Sequence, residues 1–305
     1  MCTKPSTAVR QPILLIGHTG SLGRALSRVF RERGHRVCGI ASSDADLRRP
    51  ESVRYLAERV ERTTILVMAA AIRPEVAEGL EVAEANLAMA MHLARLLEER
   101  PICQCVYLSS VSVYGECAHT AAMTEDTPVA PASYYGIAKA AGEALLRCAA
   151  EAVGTELLVV RPCRLYGPGD ASVGYGPARF LDEAMGSHPI ALYGDGEELR
   201  DHVYVEDAAR VIADLVAAGQ RGVFNLATGV SLPYTRWVEI IRACLGQAVE
   251  VVHRPRTRPR YDQQFDISRL RQALPGLRFT EPHEAMGHCC HAREVRVLGA
   301  VSTDE

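Results

Sequence analysis

Tyr135 and Lys139 stand four residues apart in a stretch whose pattern predicts a helix, so they share one face of it. A free phenol ionises near pH 10 and is a poor base at neutrality. A neighbouring ammonium favours the phenolate, and lowering the phenol's pKa by ~3 units requires ~4 kcal/mol. Lysine also offers rotatable donors for hydroxyl groups, which a planar guanidinium does not reproduce. The chain has 34 Lys and Arg residues, and only Lys4 and Lys139 are lysines. An amine at this spacing, where arginine serves almost everywhere else, points to chemistry that asks for an amine. Upstream lies Leu108-Ser109-Ser110-Val111-Ser112, a source of hydroxyls. A serine there would hydrogen-bond a reacting oxygen while Tyr135 moves its proton. Ser110 and Ser112 fall on one side of an extended chain, so the residues alone leave the choice of serine open.

A second constellation is Gly17-His18-Thr19-Gly20-Ser21-Leu22-Gly23, between an apolar run and an amphipathic one. Glycines here allow a tight turn, a close approach of backbone to pyrophosphate, and tight packing of helix on strand. The helix N-terminus adds amide donors and the positive end of its dipole. In a strand–turn–helix setting this predicts dinucleotide binding. The second strand of such a unit usually ends in an acidic residue that accepts from the adenosine ribose. Here Ala41 is followed by Ser42 and Ser43, which leaves nothing to repel a 2′-phosphate, and Arg24 adds charge. The expected cofactor is NADP or NAD, with NADP slightly favoured.

The elements that must carry these residues follow from periodicity. Strands are predicted at 13–16, 36–41, 65–69, 105–108 and 157–160, alternating with helices at 22–33, 53–61, 76–99 and 133–152. This alternation means βαβ units and an α/β fold: a Rossmann-type, doubly wound parallel sheet. After Arg161 the rhythm breaks in a Gly- and Pro-rich stretch, then shorter elements follow. Helices are expected at 180–185, 207–218 and 234–245, and strands at 190–193, 203–205, 223–226 and 249–252. The expected organisation is a dinucleotide domain over 1–165, with returning elements at 199–226. A smaller interleaved substrate lobe covers 166–290, and a loosely ordered tail 291–305.

Composition excludes several classes. The chain has 305 residues, 48% of them hydrophobic, and a net charge of −3. It can bury a core, and its balance argues against a general nucleic-acid binder. The arginines at 254, 256, 258 and 260 lack an aromatic platform for stacking bases. The longest apolar stretch, 65–72, is too short to span a bilayer, and no signal peptide opens the chain, so a cytoplasmic location is expected. Ten cysteines in a core-rich chain need no disulfide frame. His288-Cys289-Cys290-His291 is too contiguous to close a metal tetrahedron and reads as part of a solvated tail, so no metal is expected.

Several further motifs join the glycine loop and the Tyr–Lys pair. They are Arg161-Pro162-Cys163-Arg164-Leu165-Tyr166-Gly167, Arg200-Asp201-His202-Val203-Tyr204-Val205 and Phe224-Asn225-Leu226. With them, residues 13 to about 285 resemble the nucleotide-sugar epimerase/dehydratase/ketoreductase group of extended short-chain dehydrogenases/reductases. The resemblance implies Ser110, Tyr135 and Lys139 as the catalytic set. It implies cofactor contacts from Gly17, Thr19, Gly20, Ser21, Leu22 and Gly23, with Asp46-Leu47 beside the adenine. It adds Ala69, Ala70, Ala71, Asn86 and Pro162. For the substrate it implies Ser110, Ser112, Arg164, Arg200, Arg258 and Asp262, with Arg200 and Arg258 on the diphosphate. A homodimer through the two long helices is implied as well.

Three departures qualify the resemblance. Arg164 stands where the group usually has Asn, and His202 where an apolar residue is usual. Val111-Ser112 replaces the Asp-Glu that 4,6-dehydratases place after the catalytic hydroxyl residue, and Ser112 the cysteine of 3,5-epimerising reductases. The expected activity is hydride transfer at C4 of a nucleotide-activated hexose, as a 4-epimerase or a 4-ketoreductase. The alternatives are a non-catalytic NADP-binding sensor and a short-chain dehydrogenase for a non-sugar substrate. The intact Ser110, Tyr135 and Lys139 speak against the sensor, which needs no tuned phenol.

Overall fold

The computed structural model describes residues 10–73, 79–115, 121–170, 174–256 and 259–301, with side chains to residue 295. Its first half alternates β1 (Ile13–Ile16), α1 (Ser21–Glu32), β2 (Val37–Ile40), α2 (Glu51–Ala57), β3 (Ile65–Met68) and α3 (Leu80–Glu99). Then come β4 (Gln104–Leu108), a single 3-10 turn (Val111–Tyr114), α4 (Tyr134–Val153), β5 (Glu156–Pro162) and β6 (Arg164–Tyr166). The second half runs α5 (Pro177–Met185), β7 (Ile190–Tyr193), β8 (Leu199–Arg200), β9 (His202–Tyr204), α6 (Val205–Ala217) and β10 (Gly222–Leu226). It ends with β11 (Leu232–Pro233), α7 (Tyr234–Leu245), β12 (Val251–Arg254), α8 (Ser268–Ala273) and α9 (Pro282–Val301).

Six parallel strands form the main sheet in the order β10-β5-β4-β3-β1-β2. Successive strand residues face opposite sides, which is why β1 is buried on both. Ile13 and Leu15 pack with Leu26 and Phe30 of α1 and Ile212 of α6. Leu14 and Ile16 pack with Leu56 of α2, Leu93 and Leu97 of α3 and Leu146 of α4. The fold is the expected Rossmann-type α/β sheet with helices on both faces. The order of connection reverses between β1 and β3, and such a switch opens a crevice at the carboxyl ends of the strands. β7 and β12 pair apart from the main sheet. A separate apolar cluster there joins Phe180, Leu192, Trp237, Ile241 and Met286.

Several boundaries depart from the sequence expectation. The helix expected from residue 76 begins at Leu80, because Gly79 has φ 96° and cannot continue it; residues 74–78 lie outside the described set. The last strand falls at Val251–Arg254, set by pairing with β7 rather than by its apolar residues. β6, β8 and β11 have two or three residues each, too few to show a period. The solvated tail is a correction. Residues 282–301 form one helix, and Cys289 and Cys290 are buried against α7 with 2% and 6% exposure. Burial pushes the Cys289 thiol up to about 12, so it is an inert packing residue.

Candidate active site

The glycine loop leaves β1 with the Gly17 amide bound to the Ile40 carbonyl at 2.8 Å. Gly17 has φ 85°, and a Cβ there would stand 2.7 Å from the Ala70 amide nitrogen. A Cβ on Gly23 would stand 2.0 Å from the Gly17 carbonyl, so α1 can only pack on this turn through glycine. Gly20 caps α1 without any side-chain bond, which leaves first-turn amides for an outside acceptor. Among the described residues, these are the features of a phosphate cradle.

A cavity of about 450 Å³ opens over the loop and runs along the carboxyl ends of β1, β2, β3 and β4. Gly17, Thr19, Gly20, Ser21, Leu22 and Gly23 line it, as do Ser42, Asp46 and Leu47. Ala69, Ala70, Ala71, Tyr135, Lys139 and Pro162 complete the expected set. Three expected contacts do not line it. Ser43 is exposed beyond the rim. Arg24 is spent on main-chain carbonyls, binding that of Thr19 and, at 3.3 Å, that of Gly169. Asn86 is buried behind the wall and holds the Ile72 backbone instead. The sequence reasoning missed Arg48, which lines the cavity beside Asp46 and pairs with it at 2.8 Å. Its spacing of two from Asp46 was the available signal.

The catalytic set converges from two elements. Ser110 ends the extended run of β4 and caps the 3-10 turn, its Oγ accepting from the Ser112 amide at 3.1 Å. Ser110 Oγ donates to Ser112 Oγ at 3.0 Å, so the two hydroxyls lie together. Ser133 caps α4 by accepting from the Gly136 amide at 3.1 Å, which sets Tyr135 in the first turn. One turn on, Lys139 is 2% exposed and donates from Nζ to the Leu108 carbonyl at 2.8 Å. Its Nζ stands 5.7 Å from the Tyr135 ring centre and 4.9 Å from that of Tyr107. Burial draws the Lys139 ammonium down to about 8, and Glu143 opposes that fall.

Ser109 faces away from the other serines. Its hydroxyl donates to Glu143 Oε1 at 2.5 Å, and the same carboxylate takes Arg161 Nε at 2.9 Å and Nη2 at 2.6 Å. Arg161 Nη1 donates to the Tyr114 hydroxyl at 2.8 Å, and that hydroxyl donates to Asn225 Oδ1 at 2.7 Å. Glu143 and Arg161 are 2% and 4% exposed. Burial opposes the charge on Arg161, but the bonds to Glu143 outweigh it and hold the guanidinium above its ordinary pKa. This network was not read from the sequence. Two signals for it existed: Glu143 continues the Tyr135–Lys139 face by one turn, and Arg161 ends a buried apolar strand.

A second cavity of about 240 Å³ adjoins the first, and the two share Ser109, Tyr135, Pro162, Leu165 and the ion pair Arg73–Asp170 (3.6 Å). Ser110, Ser112, Arg164 and His202 line it, with Tyr175, Tyr261 and Gln263 at the far end. Arg164 and His202 face each other in the β6–β9 register. His202 is buried among Tyr166, Tyr234 and Trp237, and among the described residues neither ring nitrogen finds a partner. Desolvation first, then the Arg164 cation, holds its pKa well below the ordinary histidine range, so it stays neutral. Arg200 and Asp262 do not line this cavity. Arg200 is buried, its guanidinium 4.2 Å from the Tyr261 ring centre and bonded to the Leu199 and Tyr261 carbonyls. Asp262 accepts from the Leu199 amide at 2.9 Å and pairs with Arg260. Arg258 lies outside the described residues.

Comparison with known proteins adds the following. The NAD dependent epimerase/dehydratase family matches residues 13–227. A dTDP-glucose 4,6-dehydratase of Xanthomonas campestris is 30% identical over 186 residues, 55% of this chain and 51% of that one. The chain thus spans about half the length of the curated relatives it matches in this way. A dTDP-4-dehydro-6-deoxy-D-allose reductase of Streptomyces bikiniensis is 26% identical over 270 residues, 77% of this chain and 81% of that one. Among solved structures, a UDP-glucose 4-epimerase of Thermotoga maritima with UDP-glucose superposes with a TM-score of 0.83. It is 22% identical and covers 94% of this chain and 99% of that one.

Proposed function

Because the chain belongs to the NAD dependent epimerase/dehydratase family, we propose that it transfers hydride at a sugar carbon, C4, of a nucleotide-activated hexose, as a 4-epimerase or a 4-ketoreductase. The observation that carries this reading is the placement of Tyr135, which lines both cavities where they meet. A reacting carbon held there lies between the dinucleotide cavity and Ser110.

The residues present fit a dinucleotide. Gly17 and Gly23 have no room for a Cβ, and the first turn of α1 offers amides to a pyrophosphate. When bound, the nicotinamide accepts or returns the hydride. Tyr135 takes the proton of the C4 hydroxyl or gives it back. Ser110 holds the reacting oxygen, and its bond to Ser112 orients the hydroxyl. Lys139 favours the phenolate and has further N–H donors beyond the one committed to Leu108. Arg164 is a lining cation suited to a diphosphate, beside Arg73, which pairs with Asp170. The end of β2 brings Ser42 rather than a carboxylate into the lining, and Arg48 stands close by on Asp46, which supports NADP over NAD.

A 4,6-dehydratase needs an acid and a base next to the catalytic hydroxyl residue. Val111 is buried in the core and Ser112 is bonded to Ser110, so neither does that work. The relatives compared above carry nucleotide-linked sugars in their names, which supports the substrate class. The outer surface of α3 and α4 leaves Met91 40%, Tyr134 50% and Ile137 48% exposed, which supports a homodimer through these helices. Sedimentation of Ile137→Glu tests it: the charge should give monomers, and an unchanged dimer refutes that face.

The deciding experiment incubates the protein with a panel of nucleotide sugars and their 4-keto forms, with NADPH, NADH or neither. Stoichiometric loss of the reduced cofactor identifies a ketoreductase, and interconversion without net loss a 4-epimerase. Tight cofactor binding with no turnover across the panel would overturn the reading in favour of a sensor.

A further inference from the structure

We propose that the buried Glu143–Arg161 pair is a positioning device for Lys139, with Glu143 as the counter-charge that keeps the amine an ammonium and Arg161 as the tether that fixes that carboxylate. The proposal rests on Tyr135 and Lys139 being the proton-handling pair of the reaction.

Lys139 is 2% exposed in the wall of the dinucleotide cavity, and among the described residues its hydrogen bond goes to the neutral Leu108 carbonyl. Among the described residues, the groups around it come from the elements packed against it. From its own helix these are Tyr135 one turn back and Glu143 one turn on. From β4 come the Leu108 carbonyl and the ring of Tyr107, whose phenol burial holds neutral. From β5 comes Arg161, which reaches the helix by binding Glu143. Glu143 is therefore the one carboxylate among these groups. It makes no direct ion pair with Lys139, so it acts through space across a low-dielectric interior, where charges are felt further than in water.

The placement of Arg161 follows from the same need. A carboxylate buried alone would protonate, because desolvation disfavours its charged form. Two bonds from the guanidinium and one from the Ser109 hydroxyl answer its charge and hold it in place. The Tyr114 hydroxyl and Asn225 then hold the guanidinium from behind. A network of this depth, tied to the residue beside Ser110 and to the residue before Pro162, fixes the relation of β4, α4 and β5 at the catalytic set.

The chain's composition supplies the test. With only Lys4 and Lys139 present, protein labelled with ¹³Cε-lysine gives two lysine resonances, and Lys139→Arg assigns them. In the wild type, without cofactor or substrate, the Lys139 signal should titrate at about 8. Glu143→Gln removes the counter-charge and bares Arg161, and should lower that midpoint by about one pH unit. Arg161→Gln removes the tether, so that desolvation works against the charge on the carboxylate, and should lower the midpoint as well. Should either single change prevent folding, the paired replacement Glu143→Leu with Arg161→Met keeps volume and removes both charges. Its midpoint should fall between those of wild type and Glu143→Gln. The alkaline limb of kcat should shift with the resonance. A Lys139 midpoint that stays the same in every folded variant overturns the proposal and leaves the pair a structural brace. The titration needs no turnover, so a protein inactive on every sugar would refute the proposed function without touching this result.

Discussion

Asn86 and the main chain of Ile72 bind each other in both directions: the side-chain Nδ2 donates to the Ile72 carbonyl at 2.8 Å, and the Ile72 amide donates to Oδ1 at 3.2 Å. A third bond, from Nδ2 to the Val82 carbonyl at 2.8 Å, anchors the amide on its own helix. Ile72 lines the dinucleotide cavity and Asn86 does not, so an effect of Asn86 on cofactor binding would pass through the loop after β3. Asn86→Ala strands two main-chain groups and should cost about 2 kcal/mol of stability. Denaturant unfolding together with cofactor titration checks this. Cofactor binding should weaken severalfold, and unaltered affinity in the folded variant would show that the loop holds its shape without the amide.

Tyr135→Phe removes one oxygen from the junction of the two cavities. Turnover should fall by roughly 10² to 10⁴, the usual worth of a positioned acid/base. The dissociation constant for the cofactor should stay within about threefold, since the ring remains. Calorimetric titration and single-turnover kinetics separate the two quantities. Full activity in this variant would remove Tyr135 from the mechanism.

Stability and activity should respond to Lys139 in opposite senses. Its pKa is about 8 in the folded chain against an ordinary 10.5, so between those values the unfolded chain binds more protons. Stability on this account rises as pH climbs from 8 towards 10.5, and the penalty of the buried ammonium is fully present below 8. That penalty is about 3 kcal/mol, and losing the bond to Leu108 offsets about 1 kcal/mol of it in a Lys139→Met variant. The variant should melt about 2–5 °C higher than wild type at neutral pH, with the gap closing by pH 10, while turnover is lost. Thermal scans at three pH values decide it; a variant that melts lower at neutrality contradicts the burial argument.

Arg164→Asn installs the residue usual in the resembling group. If Arg164 holds the diphosphate, KM for the nucleotide sugar should rise roughly tenfold with kcat within about twofold, as expected for one charge-assisted bond. A changed choice among sugars at constant KM would instead mean that Arg164 reads the sugar itself.

Much of the fold and of the cofactor site was legible because it is local. A glycine turn between strand and helix, and a tyrosine and lysine one turn apart, are settled by the periods of the elements that carry them. Periodicity placed β1, β3, β4 and β5 closely, since strands buried on both faces read as unbroken apolar runs. The short strands of the second half have no period to read, and their ends were set by partners far along the chain.

What the sequence determined by itself was therefore the parallel sheet, the dinucleotide loop and the Tyr135–Lys139 face. The tertiary structure decided which hydroxyl faces which cavity: Ser110 joins Ser112 because a 3-10 turn begins there, while Ser109 turns inward to Glu143. It decided that Arg24 bridges to Gly169, that Asn86 holds a loop, and that the cysteines of α9 are core. The common reason is burial. A polar group taken out of water must find its partner wherever packing brings one, and for Glu143 that partner was Arg161, on another element.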